Sequence, residues 1–190
     1  MNRWMIVSLS AIAVVSLMLV VACAPAEVEI EVSSYADDRA AIEDLQARYM
    51  FALDFGDLDT YVETFTEDGI LDIIGMKAQG REEIRKLLEG PGESEEGAAQ
   101  APAEPEGPYP ATGRHNITNI VLKIDGDTAT GRAYWFHYGN TNPERRAQLD
   151  SYGYYEDEMV KVDGEWLFSE RIIYNEQVKE WIGSSENPAW

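Results

Sequence analysis

Hydrophobic positions change their spacing twice along the chain, and each change marks a different kind of segment. Trp4 to Ala22 is almost uninterrupted apolar sequence, with Ser8, Ser10 and Ser16 as its only polar members. From Asp37 to Leu53 the apolar residues Ile42, Leu45, Tyr49, Ala52 and Leu53 recur at the spacing of one helix face. Asp37, Asp38 and Glu43 stand near its start, where the helix dipole favours acids. Phe55-Gly56-Asp57-Leu58-Asp59 breaks this helix. Tyr61, Val62 and Phe65 then predict a short second one ending before Glu67-Asp68-Gly69. Ile70 to Gly75 reads as a strand, and Gly80 to Leu88 as a third, amphipathic helix stopped by Gly90-Pro91.

Beyond residue 112 the pattern is that of a sheet. Thr112 to Ile124 and Asp127 to Tyr138 flank Asp125-Gly126, and Leu149 to Val162 and Glu165 to Tyr174 flank Asp163-Gly164, so two Asp-Gly hairpins are predicted. Helices first and antiparallel strands afterwards give an α+β domain, with the helices covering one face of a curved sheet. If Asp125-Gly126 is a two-residue turn, Ile124 pairs with Asp127, His115 with Phe136 and His137 with Arg114. That register puts His115 and His137 on opposite faces unless a bulge intervenes, which disfavours a metal site of two histidines and a carboxylate.

Charge narrows the choice of partner. Fifteen Lys and Arg against 35 Asp and Glu give a net charge of −20, which repels nucleic acid and anionic head groups alike. With 45% hydrophobic residues in a chain of 190, one well-packed domain is expected. Residues 91–110 are the exception: five prolines, five glutamates and no Lys or Arg read as an acidic loop. A lone cysteine excludes an internal disulfide.

That cysteine ends the apolar run. Val20-Val21-Ala22-Cys23 resembles the lipobox of bacterial lipoproteins, which implies removal of residues 1–22 and acylation of Cys23. Residues 23–34 then form a tether, 35–182 the domain and 183–190 a tail. The expected location is the cell envelope, lipid-anchored, with the outer membrane favoured because Ala24 follows the cysteine rather than Asp.

Few side chains in the domain suit acid–base chemistry in an interior pocket. His115 changes charge near neutral pH, and Asp54 closes an apolar helical run at a turn where a carboxylate can point back toward the sheet. A carboxylate on one imidazole nitrogen would fix the tautomer and make the other a general base. Spacing alone leaves each open to a plain structural role. Trp135, Phe136 and Tyr155 either line an apolar pocket for a ring-shaped ligand or serve core and dimer packing.

The order of motifs adds a resemblance. Asp54 to Asp57, Phe-Thr-Glu-Asp-Gly (65–69), Gly-Arg-Glu-Glu-Ile (80–84), Arg-His-x-x-Thr-Asn (114–119), Ile-Asp-Gly-Asp-x-Ala (124–129) and Asp-Gly-x-Trp (163–166) resemble the SnoaL-like branch of the NTF2-like superfamily. Tyr49, Asp54, His115 and Arg171 are similar to the pattern of its bile-acid dehydratases and hexachlorocyclohexane dehydrochlorinases; scytalone dehydratase is of the same type. The resemblance implies a cone-shaped domain, a homodimer, and cofactor-free elimination or isomerisation of a small hydrophobic molecule. His115, oriented by Asp54, would remove a proton from carbon; Tyr49 would donate to the developing oxyanion or the leaving oxygen; Arg171 would hold that charge or the substrate. The superfamily also contains modules that bind or dimerise without turnover, and that alternative stays open.

Overall fold

The computed structural model describes residues 34–73, 75–90, 113–179 and 186–189. The apolar N-terminal run, Cys23 and the 91–110 segment lie outside the described residues.

Helix α1 (Tyr35–Phe55) begins two residues before the acidic cluster. Ser34 and Asp37 bond reciprocally to each other's backbone N–H in a capping box. It ends where Gly56, at φ 67°, takes the left-handed conformation and donates to the carbonyls of Ala52 and Leu53. Its buried stripe is Asp38, Ile42, Leu45, Gln46, Tyr49, Met50 and Ala52. Helix α2 (Leu58–Glu63) is capped by Asp57, which accepts from the Thr60 backbone N–H at 3.1 Å. Helix α3 (Arg81–Glu89) is anchored through the fully buried Ile84.

Six strands form one sheet: β1 (Phe65–Ile73), β2 (Met76–Gln79), β3 (Gly113–Asp125), β4 (Thr128–Gly139), β5 (Gln148–Val162) and β6 (Glu165–Asn175). Their order is β2-β1-β6-β5-β4-β3, antiparallel throughout except for the β1–β6 pair. The α+β expectation holds, with the N-terminal helices on a mostly antiparallel sheet. Strand β1 starts at Phe65, which the spacing had given to a helix, because Phe65 pairs with Phe168 and both are fully buried. Strand β2, only four residues long, has no periodic signature to find.

The Asp163-Gly164 hairpin closes as expected, Val162 opposite Glu165, with both turn residues at positive φ. The first hairpin does not. Asp125 pairs with Thr128, so the turn residues are Gly126 and Asp127. A register shift then falls between Thr118 and Val121, where Asn119 sits at φ 54°. Beyond this bulge His115 stands directly opposite His137, which corrects the expected pairing with Phe136. One extra residue turns every β3 side chain before it to the other face.

The core lies between α1 and the inward face of the sheet. Leu45, Tyr49, Phe65, Leu71 and Phe168 are all at zero exposure there. Each such side chain contributes on the order of 1.5–3 kcal/mol by burial.

Candidate active site

The last turn of α1 packs against the start of β3, and this contact carries the candidate chemistry. Asp54 accepts three hydrogen bonds from His115: the backbone N–H reaches both carboxylate oxygens at 3.1 Å, and ring Nδ1 lies 2.7 Å from Oδ1. A carboxylate that takes a backbone N–H is acting as an acceptor, so Nδ1 carries the ring proton and Nε2 keeps its lone pair. The Asp54 side chain is 6% exposed and that of His115 24%, so the acid is sealed and the imidazole is reachable. Burial lowers the His115 pKa below the ordinary imidazole value, against the opposing pull of the Asp54 hydrogen bond and charge. Near neutral pH the ring is therefore an uncharged base.

A second imidazole shares the space. His137 Nδ1 lies 2.5 Å from Asp150 Oδ1, and its ring centroid is 4.3 Å from that of His115. The backbone leaves room for this pair at two glycines. A Cβ on Gly113 would lie 2.1 Å from His137 Nε2, and one on Gly139 would lie 2.4 Å from Asp150 Oδ2. Asp150 occupies the bulge between the His137–Ser151 and Tyr138–Leu149 pairings, which aims its carboxylate across to β4. Two imidazole–carboxylate pairs thus stand side by side. Among the described residues no group of three or more potential ligands is arranged to hold a metal ion.

Tyr49 and Arg171 lie deeper and belong together. The guanidinium carbon of Arg171 sits 4.2 Å from the ring centroids of Tyr49 and Tyr155 and 4.0 Å from that of Phe168. Asp157, the cross-strand neighbour of Arg171, takes Nε and Nη2 in two bonds of 2.8 Å, and Gln46 of α1 joins both residues. All of Arg171 and Asp157 is at zero exposure, and Nη1 has no hydrogen-bond partner among the described residues. Although burial favours its neutral form, the Asp157 charge and hydrogen bonds raise the Arg171 pKa above the usual guanidinium value. Tyr49 accepts from the Tyr61 hydroxyl at 2.7 Å. Burial raises its own pKa, with the Arg171 charge opposing, so it remains a phenol.

The structure therefore brings Asp54 to His115 and Tyr49 to Arg171 as two pairs. A run of rings joins them: His115 to Trp135 at 6.3 Å, Trp135 to Tyr155 at 6.0 Å, and Tyr155 to Tyr49 at 6.4 Å. Trp135 and Tyr155 belong to this inward face and are nearly buried. Phe136 does not. It follows Trp135 on the strand, so it projects from the opposite face and packs edge-on against Tyr138, which corrects its grouping with the other two.

Sequence reasoning missed His137 and Asp150 because a one-residue bulge leaves no mark in hydrophobic spacing. Asp157 did leave one. It shares strand parity with Tyr155 and Met159, and an acid among inward apolar residues requires a buried partner.

With the geometry in place, comparison with known proteins is informative. Residues 34–172 match the SnoaL-like domain. No curated protein matches the chain. A protein of unknown function from Mycobacterium tuberculosis is similar at 26% identity and a TM-score of 0.59, over 77% of this chain and 78% of that one. A putative scytalone dehydratase from Novosphingobium aromaticivorans is similar at 25% identity and a TM-score of 0.56, over 80% and 92% of the two chains. ActVI-ORFA from Streptomyces coelicolor, at 21% identity and a TM-score of 0.61 over 75% and 98%, shares the fold. A match across this much of the sequence, carried on helices packed against a mostly antiparallel sheet, makes the chain a member of the SnoaL-like domain family.

Proposed function

We propose that this protein is a cofactor-free lyase or isomerase acting on a small hydrophobic molecule, with His115 as general base. His115 Nε2 takes a proton from carbon beside a carbonyl, and the electron pair moves into the enolate. His137, held by Asp150, passes a proton to a hydroxyl on the adjacent carbon, which leaves as water as the double bond forms. Asp54 and Asp150 hold the two rings. Arg171, sealed with Tyr49 behind the aromatic wall, supplies a fixed positive field toward the developing oxyanion. Trp135 and Tyr155 form the apolar wall. The putative scytalone dehydratase among similar structures supports dehydration as the reaction. One observation carries the reading: a sealed carboxylate 2.7 Å from the Nδ1 of a reachable imidazole. The test is dehydration of cyclic β-hydroxyketones, followed as enone absorbance. His115→Ala is expected to lose about 10²–10⁴-fold in rate. Turnover by His115→Ala equal to the parent would reject the mechanism.

The zero exposure of Tyr49 and Arg171 favours a second reading, a module that binds a hydrophobic ligand without turnover. A compound that raises the melting temperature of the parent and of His115→Ala alike, and is recovered unchanged, would establish it.

In either reading the chain is held in the cell envelope by acyl chains on Cys23 and pairs with a second copy. The Val20-Val21-Ala22-Cys23 sequence and the exposed Phe51, Phe55 and Tyr134 support these two points. Incorporation of labelled palmitate that Cys23→Ser abolishes tests the first.

A further inference from the structure

The chain of 190 residues has only 2 histidines, and the fold brings both to one spot. His115 on β3 and His137 on β4 stand directly opposite one another on one face of the sheet, with ring centroids 4.3 Å apart. The expected register set them on opposite faces and so spoke against a shared metal ion. The bulge at Asn119 removes that objection.

Each ring is held in the same way. Nδ1 faces a carboxylate, Asp54 at 2.7 Å for His115 and Asp150 at 2.5 Å for His137. A metal-binding imidazole is ordinarily supported like this: one nitrogen gives its proton to an outer carboxylate, which orients the ring and strengthens the other nitrogen as a donor. Neither Nε2 has a hydrogen-bond partner among the described residues. That of His137 is directed across to β3, into the place a Cβ on Gly113 would take, two residues before His115 and on the same face. The two side chains are 24% and 22% exposed, so an ion can reach both from solvent.

Donor chemistry selects the ion. The 35 carboxylates of the chain suit hard cations anywhere on the surface, whereas imidazole nitrogen suits zinc, copper and nickel and is found here alone. We propose that His115 and His137 together bind one divalent transition ion of the zinc class through their Nε2 atoms, with water in the remaining positions. Two protein ligands, fewer than a closed structural site uses, make the ion exchangeable. A nitrogen that holds an ion cannot accept a proton, so the ion is an inhibitor of the elimination; that consequence rests on the reading put forward above, and the binding itself does not.

Zinc chloride titrated into the full chain in detergent, followed by calorimetry, tests the site without reference to turnover. One equivalent is expected to bind above the weak background of surface carboxylates. His115→Ala and His137→Ala are each expected to abolish that equivalent. Asp150→Asn, which keeps both imidazoles, is expected to weaken it about 10–100-fold. Copper(II) added to the parent is expected to show two nitrogen ligands by electron paramagnetic resonance, a readout that needs no variant to fold. Zinc held no more tightly by the parent than by the double variant His115→Ala with His137→Ala, or copper without nitrogen ligands, would overturn the site. Zinc bound as described in a protein that dehydrates no β-hydroxyketone would establish the site and remove the inhibitory role. Dehydration without zinc binding would remove the site and leave the lyase reading standing.

Discussion

The buried Arg171–Asp157 pair, the deep end of the site, and the partly exposed His115–Asp54 pair, its mouth, both set a basic group against a carboxylate, yet they differ in what water can reach. Arg171 and Asp157 are cross-strand neighbours at zero exposure, locked by Gln46 and by three aromatic faces. His115 and Asp54 come from elements far apart in sequence, and the imidazole keeps 24% of its side-chain surface exposed. Burial without access converts an ion pair into scaffold, because no substrate can reach either group and removing one partner is costly. Burial of the acid alone leaves a base that can still meet a substrate. The same chemistry of paired charges thus yields a fixed field at one end and a proton acceptor at the other.

Removing one partner at the deep end tests this division most severely. Arg171→Met strands the Asp157 carboxylate and a Gln46 oxygen in the core, and about 3–5 kcal/mol of stability is expected to be lost. Arg171→Met with Asp157→Leu removes both charges and is expected to recover most of that loss. Urea denaturation followed by circular dichroism checks both. A single variant as stable as the parent would show that the pair is not the scaffold described.

At the mouth the expected cost moves from stability to rate. Asp54→Asn keeps the shape but trades a carboxylate acceptor for an amide, so the His115 Nδ1 proton and its tautomer are no longer fixed. Dehydration is expected to fall about 10²-fold or more while the urea midpoint moves little. Gly113→Ala is a milder intrusion on the second pair. Its methyl group must displace His137, and about 1–3 kcal/mol of overpacking is expected with slower turnover. A Gly113→Ala variant with unchanged rate would remove His137 from the chemistry.

These variants also separate what the sequence made legible from what it hid. Helix periodicity and two hairpin signals were enough for the α+β plan, although only the Asp163-Gly164 turn falls where it was expected, since a helix face and a tight turn are local properties. The Asp54–His115 pair was legible as residue types, and its contact follows from α1 packing on β3. The position of His137 was not, because Asn119 reverses the facing of one strand half through a single left-handed residue that any Asn can supply. Strand parity alone would have placed Phe136 away from Trp135, and the inward acid Asp157 beside Arg171 was readable once β5 and β6 were paired. Exposure was the remaining unknown: Tyr49 and Arg171 match a catalytic pattern in type, but only packing reveals that they are sealed.

The subtlest difference between the two ends is their response to pH. His115 has a folded-state pKa below its unfolded value, so the folded protein holds the neutral ring more favourably than the unfolded chain does. The stability it contributes is therefore complete above the ordinary imidazole pKa, near 6.5, and is lost as pH falls from there through the lowered folded value. Arg171 carries no such dependence in this range, because its raised pKa keeps it charged throughout. His115→Asn should flatten the decline in stability below pH 6.5 by a small but measurable amount, whereas the double variant Arg171→Met with Asp157→Leu, which removes both charges, should shift the whole curve without changing its slope there. Urea midpoints taken between pH 5 and pH 8 decide the matter. An unaltered slope in His115→Asn would mean that the ring titrates alike in both states and that burial does not tune the base.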